Sequence, residues 1–289
     1  MVTHGLPQGT YARQVPRTPA TTGIRFVKGH GTGNDFIIVP DLLGTLTLSP
    51  EWVRAACARR TGLGANGVIR VVRSGADPNL AWAGDADFVM DYRNADGSIA
   101  EMCGNGARVM MRYLLEAGLI TDAPVILGTR GGPRQAWIEQ KRITINMGSA
   151  VAGPESTVSS GGQQWPALGV YIPNPHAVVL VPDLREIPDL RQAPTLAPDS
   201  AFPEGVNVEF VQRHSPSRLT MRVYERGVGE TMACGTGACA VAWALGSLPE
   251  GSVSVEQPGG IVQISMRGNG DLLLTGPAEL VASGDLNLS

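Results

Sequence analysis

Residues 94–108 read NADGSIAEMCGNGAR, and residues 225–239 read ERGVGETMACGTGAC. Both contain Cys-Gly-x-Gly-Ala, centred on Cys103 in the first copy and on Cys234 in the second. Nine residues before each cysteine stands a polar side chain, Asn94 or Glu225, at the end of a predicted strand. An apolar pattern of helical period follows each cysteine. Two copies of one strand–turn–helix unit predict a chain built from two similar halves.

Working outward from the first copy, GVIRVVR and ADFVMDYRNADG read as strands, with a turn at Ala95-Asp96-Gly97. GNGARVMMRYLLEAG reads as a helix, its Val109, Met110, Leu114 and Ala117 recurring at helical spacing. Upstream, IRFV and FIIV are strands joined by a glycine-rich turn. SPEWVRAACARRTG is a helix with Ser49 as N-cap, Pro50 in first position and Gly62 ending the pattern. PVILGTRGG, QAWIEQ and KRITINMG return to strand patterns, and Gly148 to Gly162 reads as a loop near a domain boundary. Around the second copy, strand-like GVYIP and AVVLV flank Asn174-Pro175-His176, followed by NVEFVQR and RLTMRVYER. A helix is predicted from Gly235 to Leu245, then short strands SVSVEQ, GIVQISM and DLLLTG. Many strands with two prominent helices favour an α+β fold. Residues 1–23, rich in Pro, Thr and Gly, read as a flexible leader.

Composition removes several classes of function. The formal charge of -3 leaves no broad basic footprint for nucleic acid. No apolar run reaches the roughly 18 residues that would suggest a membrane span. The amino terminus has no secretory apolar core, so a reducing cytoplasm and free thiols are expected. The four cysteines form no Cys-x-x-Cys. Cys57 and Cys239 fall within predicted helices and are assigned to core packing. His30 belongs to the loop that carries Asn34, whereas His4 and His214 have no comparable context. No histidine–cysteine–carboxylate spacing makes a metal site.

A helix start offers unpaired N–H groups and the positive end of a dipole, which suits an anion and lowers a cysteine pKa. Two such starts facing each other would form one anion site with two thiols. That suits taking a proton from one face of a carbon and returning one to the other. A single Cys-Gly-x-Gly is as readily a turn beside a small buried residue; the duplication is what favours an acid–base pair.

The segments KGHGTGNDF, RTGLGANGV, YRNADGSIAEMCGNGAR, NPH, FPEGVNVEF and RVYERGVGETMACGTGACA together resemble the diaminopimelate epimerase family, in the family's order. The resemblance implies two similar domains, each a curved mixed or antiparallel sheet around a central helix, facing each other across a cleft. It places residues 24–146 with 277–289 in one domain and 147–276 in the other. It implies a homodimer, an activity without a cofactor or metal, and interconversion of LL- and meso-2,6-diaminopimelate in lysine and peptidoglycan precursor synthesis. Cys103 and Cys234 inherit the catalytic roles, with His176 and Glu225 in support. Asn34, Asn94, Asn174 and Asn207 are expected to bind substrate, as are Gly104 and Asn105, and Gly235 and Thr236, at the helix starts. Glu225 would meet an ammonium and Arg226 a distal carboxylate, which its planar fork suits.

One position departs from the family. Much of it has Gly-Ala-Asp-Gly where this chain has Gly64-Ala65-Asn66-Gly67, losing a negative charge. Three other readings stay open: a racemase of proline or hydroxyproline, a thiol redox protein, and a binding protein that keeps the cleft without catalysis. The YRNADG and YERGVGET segments favour diaminopimelate among them.

Overall fold

The computed structural model describes residues 23–121, 123–246, 248 and 251–288. The leader expected at 1–23 therefore lies outside the described residues, save for Gly23. The first half runs β1 (Ile24–Gly31), β2 (Asn34–Pro40), α1 (Pro50–Cys57), β3 (Gly67–Arg73), β4 (Phe88–Asn94), α2 (Gly104–Glu116), β5 (Val125–Gly128), β6 (Arg134–Glu139) and β7 (Arg142–Ser149). The chain continues as β8 (Val151–Ala152), β9 (Ser156–Ser160), β10 (Gln163–Ile172), β11 (Asn174–Leu180), β12 (Thr195–Ala197) and β13 (Asn207–Ser215). It closes with β14 (Arg218–Glu225), β15 (Gly229–Thr231), α3 (Gly235–Ala244), β16 (Val253–Gln257), β17 (Gly260–Met266), β18 (Asp271–Gly276) and β19 (Glu279–Leu286).

The repeat seen around the cysteines extends through both halves. In the first, β1–β2 is antiparallel, β2–β3 parallel, β3–β4 antiparallel, β4–β5 parallel, and β5–β6–β7 antiparallel. In the second, β10–β11, β11–β13, β13–β14, β14–β16 and β16–β17–β18 repeat that series sense for sense. The halves join where β7 pairs with β18. They also exchange strands: β8, which follows β7, adds to β10, and β19, which follows β18, returns to β1. The fold is thus the expected α+β pair of repeated domains.

Each sheet curls round one helix. α2 packs on β1, β2, β3, β6, β7 and β19, and α3 on β10, β11, β13, β14, β16, β17 and β18. A helix enclosed by sheet needs apolar residues on most of its circumference. In α3 these are small, with Ala238, Cys239, Ala240, Val241 and Ala242 all fully buried, so the sheet approaches closely. Cys57 and Cys239 are buried in the core, as assigned.

Three boundaries differ from expectation. Ser49 caps α1, its hydroxyl accepting from the Trp52 N–H at 3.2 Å, but the helix ends at Cys57 rather than near Gly62. The chain folds back there: Leu63 and Gly64 donate to the Ala56 carbonyl and Ala65 to that of Cys57, occupying the acceptors a longer helix would use. The segment Gly148–Gly162 is not a loop, because β8 and β9 find hydrogen-bond partners on β10. Finally, Asn174-Pro175-His176 does not separate two strands but opens β11, with Ile172 opposite Asn174 across a tight turn at Pro173.

One buried ion network fixes the strands that carry the first half of the site. Arg70 on β3 reaches Asp41 at 2.9 Å, Asp77 at 2.6 Å and Asp91 of β4 at 3.4 Å, all buried. Breaking such a network by removing one partner leaves charges unpaired and costs about 3–5 kcal/mol. Arg70→Leu is therefore expected to lower the unfolding free energy by about that amount in a urea titration.

Candidate active site

Cys103 and Cys234 are the N-cap residues of α2 and α3. An N-cap side chain normally offers oxygen to the free N–H groups of the first turn. Here sulfur takes that place: Cys103 Sγ accepts from the Gly106 N–H at 3.5 Å and Cys234 Sγ from the Gly237 N–H at 3.3 Å. Thr236 Oγ1 lies a further 3.4 Å from the Cys234 sulfur.

The two helix starts are pressed together. A Cβ built on Gly104 would stand 2.7 Å from Leu274 Cδ2, and one on Gly235 would stand 2.8 Å from the same atom. The Gly235 position is also 3.6 Å from the Gly104 Cα, and a side chain at either place would have to displace Leu274. The Asn105 amide crosses the seam, donating to the Ala233 carbonyl at 2.9 Å, directly before Cys234. Fully buried Arg108 holds Asn105 in turn, donating to its Oδ1 at 2.5 Å and to Thr32 Oγ1 at 3.1 Å. On the other side, the Cys234 N–H donates to Gln257 Oε1 at 2.7 Å.

These starts open into one cavity of about 380 Å³. It brings together Cys103, Gly104, Asn105, Cys234, Gly235 and Thr236 with Asn34, Asn94, Asn174, Glu225 and Arg226, each named from sequence. Tyr92, Pro173, Ala233 and the run Ile99–Met102 complete the wall, and sequence reasoning missed them. A larger surface hollow of about 720 Å³ lies at 159–162 and 188–195, but its charged side chains, Asp189 and Arg191, pair with each other.

Two predicted residues stand behind the wall instead. Asn207 accepts from the Arg226 N–H at 2.8 Å and so fixes the backbone between Glu225 and Arg226. His176 is fully buried, with Nδ1 2.7 Å from Glu209 Oε1 and Nε2 3.1 Å from Asn174 Oδ1. Its strand register turns the ring inward beneath α3, while Asn174, two residues away at the strand's start, reaches the cavity. Glu209, Gln257 and the anchoring role of Arg108 were not anticipated. A charged residue inside the apolar run VNVEFV was the available signal for Glu209.

The electrostatics correct one expectation. A helix start was expected to lower both thiol pKa values, yet burial pushes Cys103 up to about 11 and Cys234 well above the usual thiol range. The Gly106 and Gly237 N–H bonds oppose the shift without cancelling it, and Glu225 adds to it at both sulfurs. Burial also raises the Glu225 pKa, against a hydrogen bond from Thr231.

Asn66 lies one layer out from the cavity. Its Oδ1 accepts from the Asp35 N–H at 3.2 Å, and Asp35 is already paired with Lys28 at 2.7 Å and Arg59 at 2.8 Å. The lost charge is therefore a second carboxylate beside one that holds two cations.

The sequence model describing the diaminopimelate epimerase family matches residues 26–152 and 169–281. A diaminopimelate epimerase of Streptomyces coelicolor is 48% identical over 280 residues, covering 92% of this chain and 96% of that protein. One of Thermobifida fusca is 45% identical, covering 92% and 99%. Among solved structures, a PhzF-family phenazine biosynthesis protein of Bacillus anthracis superposes with a TM-score of 0.69 at 16% identity, covering 93% of this chain and all (100%) of that one. A hydroxyproline epimerase of Agrobacterium vitis gives 0.65 at 16% identity, covering 92% and 93%; at that identity the likeness concerns the fold alone. By its match to the family's sequence model and its identity to full-length relatives, the chain belongs to the diaminopimelate epimerase family.

Proposed function

We propose that this protein is an isomerase that interconverts LL- and meso-2,6-diaminopimelate by proton transfer at one α-carbon, with Cys103 and Cys234 as the two bases. The observation that carries the reading is the pair of cysteine-capped helix starts in contact at the floor of one cavity.

In the step, one cysteine thiolate removes the α-proton and becomes a thiol. The opposite thiol gives its proton to the other face and becomes the thiolate. Charge and protons balance, and the roles exchange for the reverse reaction. The carbanion that forms between these events needs stabilisation by fixed donors. The N–H groups of the first turns, beginning at Gly104-Asn105 and Gly235-Thr236, suit the α-carboxylate and the charge it acquires. Glu225, beside both thiols, suits the α-ammonium. Arg226 lines the cavity and, among the described residues, its guanidinium donates only to the Glu204 and Gly205 carbonyls, so its fork suits the distal carboxylate. Proline has no distal carboxylate, and Arg226 is thus what favours diaminopimelate over it.

Neither lysine supports a Schiff base here. Lys28 is held by Asp35 and the Gly64 carbonyl, Lys141 sits in the β6–β7 turn, and neither borders the cavity. We infer the division into 24–146 with 277–289 and 147–276, which the return of β19 to β1 supports. A homodimer in the cytoplasm, serving lysine and peptidoglycan precursor synthesis, completes the reading.

In heavy water, LL-diaminopimelate is expected to gain α-deuterium with this protein and no added cofactor, whereas proline gains none; the reverse result overturns the substrate. Cys103→Ala and Cys234→Ala are each expected to lose at least about 100-fold in epimerisation while circular dichroism stays unchanged. Arg226→Leu is expected to lower kcat/KM about 10–100-fold, the loss of a charged hydrogen-bonding group. Because burial raises both thiol pKa values, the base form is scarce at neutrality and grows as pH rises. The limb of kcat/KM governed by the base is therefore expected to climb from pH 7 toward the alkaline range, with Cys103 near 11 marking its upper end in the free enzyme.

A further inference from the structure

The internal repeat allows the two cysteines to be compared position by position. β2 and β11 each begin at an asparagine, Asn34 or Asn174, and each is followed in the sheet by a parallel neighbour, β3 or β13. Phe36 faces Gly67 as His176 faces Asn207, which makes Phe36 the counterpart of His176 and Ile69 the counterpart of Glu209. The floor beneath the two helix starts follows the same rule. A Cβ on Gly106, in the first turn of α2, would meet Ile69 Cδ1 at 2.8 Å and Phe36 Cε1 at 3.4 Å. A Cβ on Gly237, in the first turn of α3, would meet Glu209 Oε1 at 2.7 Å. Cys103 thus stands over hydrocarbon, and Cys234 over a fully buried carboxylate and imidazole.

Asn174 Oδ1 only accepts, so His176 Nε2 carries a hydrogen. At 2.7 Å, Nδ1 and Glu209 Oε1 need one proton between them, whichever atom holds it. The carboxyl end of the pair lies under α3 and its imidazole end against Asn174. The second carboxylate oxygen, Oε2, is buried and has no hydrogen-bond partner among the described residues, while Oε1 is the oxygen that meets the first turn of α3. The other half carries the opposite charge: Arg108, five residues beyond Cys103, occupies the place that Cys239 takes five residues beyond Cys234.

We propose that Glu209, through its pairing with His176, is a positioning residue of the Cys234 half of the site: it orients Asn174 with its amide N–H groups toward the cavity and makes Cys234 the proton carrier, leaving Cys103 to act as the base at rest. The assignment rests on the reading of the two cysteines as an acid–base pair. Cys234 faces Glu209 from β13, Glu225 from β14 and Thr236 from its own helix, with Gln257 of β16 on its backbone; His176 of β11 faces both glutamates. Cys103 faces the same Glu225, Tyr92 of β4 and the Arg108 cation. Beyond burial, which raises both thiols, Glu209 raises Cys234 further while Arg108 pulls Cys103 down.

The test is alkylation by iodoacetamide across a range of pH, without substrate, with each cysteine followed by peptide mass spectrometry. The pH midpoint of the rate reports each thiolate independently of how accessible its sulfur is. The unmodified protein is expected to give a lower midpoint for Cys103 than for Cys234. Glu209→Gln is expected to lower the Cys234 midpoint by roughly half a unit or more and leave that of Cys103 in place, a selectivity that a general loosening of the fold does not produce. A Cys234 midpoint at or below that of Cys103 in the unmodified protein overturns the proposal even if the variant fails to fold. So does a folded Glu209→Gln protein with both midpoints unmoved. Because no substrate is present, a failure to turn over diaminopimelate would remove the proposed activity without touching this result.

Discussion

The contact between the first turns of α2 and α3 is the constraint on which the site depends. Two helix N-termini carry like partial charge and do not attract each other. They are held together by what surrounds them: Leu274 wedged against both glycines, Asn105 bonded across the seam, and Arg108 behind Asn105. A cavity bounded by two positive helix ends is ready for an anion, and each end carries a sulfur as its cap.

The strand exchange explains how two halves hold so precise a seam. Arg108 donates to the carbonyl of Pro277, and Arg112, one turn along α2, to that of Ala278. Both carbonyls lie in the link from β18 back to β19, so the segment that closes the first sheet also clamps its central helix. The β7–β18 ladder then makes the two sheets continuous. Relative motion of the halves must strain these ladders or pivot near them, and the helix starts lie close to that seam because Leu274 belongs to β18 itself.

Much of the site was legible because its signals are local. Cysteine, glycine and a following apolar period mark a capped helix wherever they occur, and finding them twice announced the repeat. The ends of the strands were equally readable, since Asn34, Asn94, Asn174 and Glu225 each stand where an apolar run meets a turn. The misread boundaries had tertiary causes. α1 stops early because a returning loop takes its carbonyls, and Gly148–Gly162 forms strands because β10 offers an edge. Composition alone cannot register either partner.

The sequence by itself determined the repeat, the two capping cysteines and the ring of polar residues around them, since each depends on neighbours within a few positions. Only the tertiary structure decided how the two halves differ. It put His176 and Glu209 beneath one cap and Phe36 and Ile69 beneath the other, and it enclosed Cys234 fully and Cys103 in part, enough to raise the pKa that a helix start alone would lower. The physical reason is that desolvation and through-space charge depend on everything packed around a sulfur, including groups more than a hundred residues away in sequence, as Glu225 at the end of β14 is from Cys103.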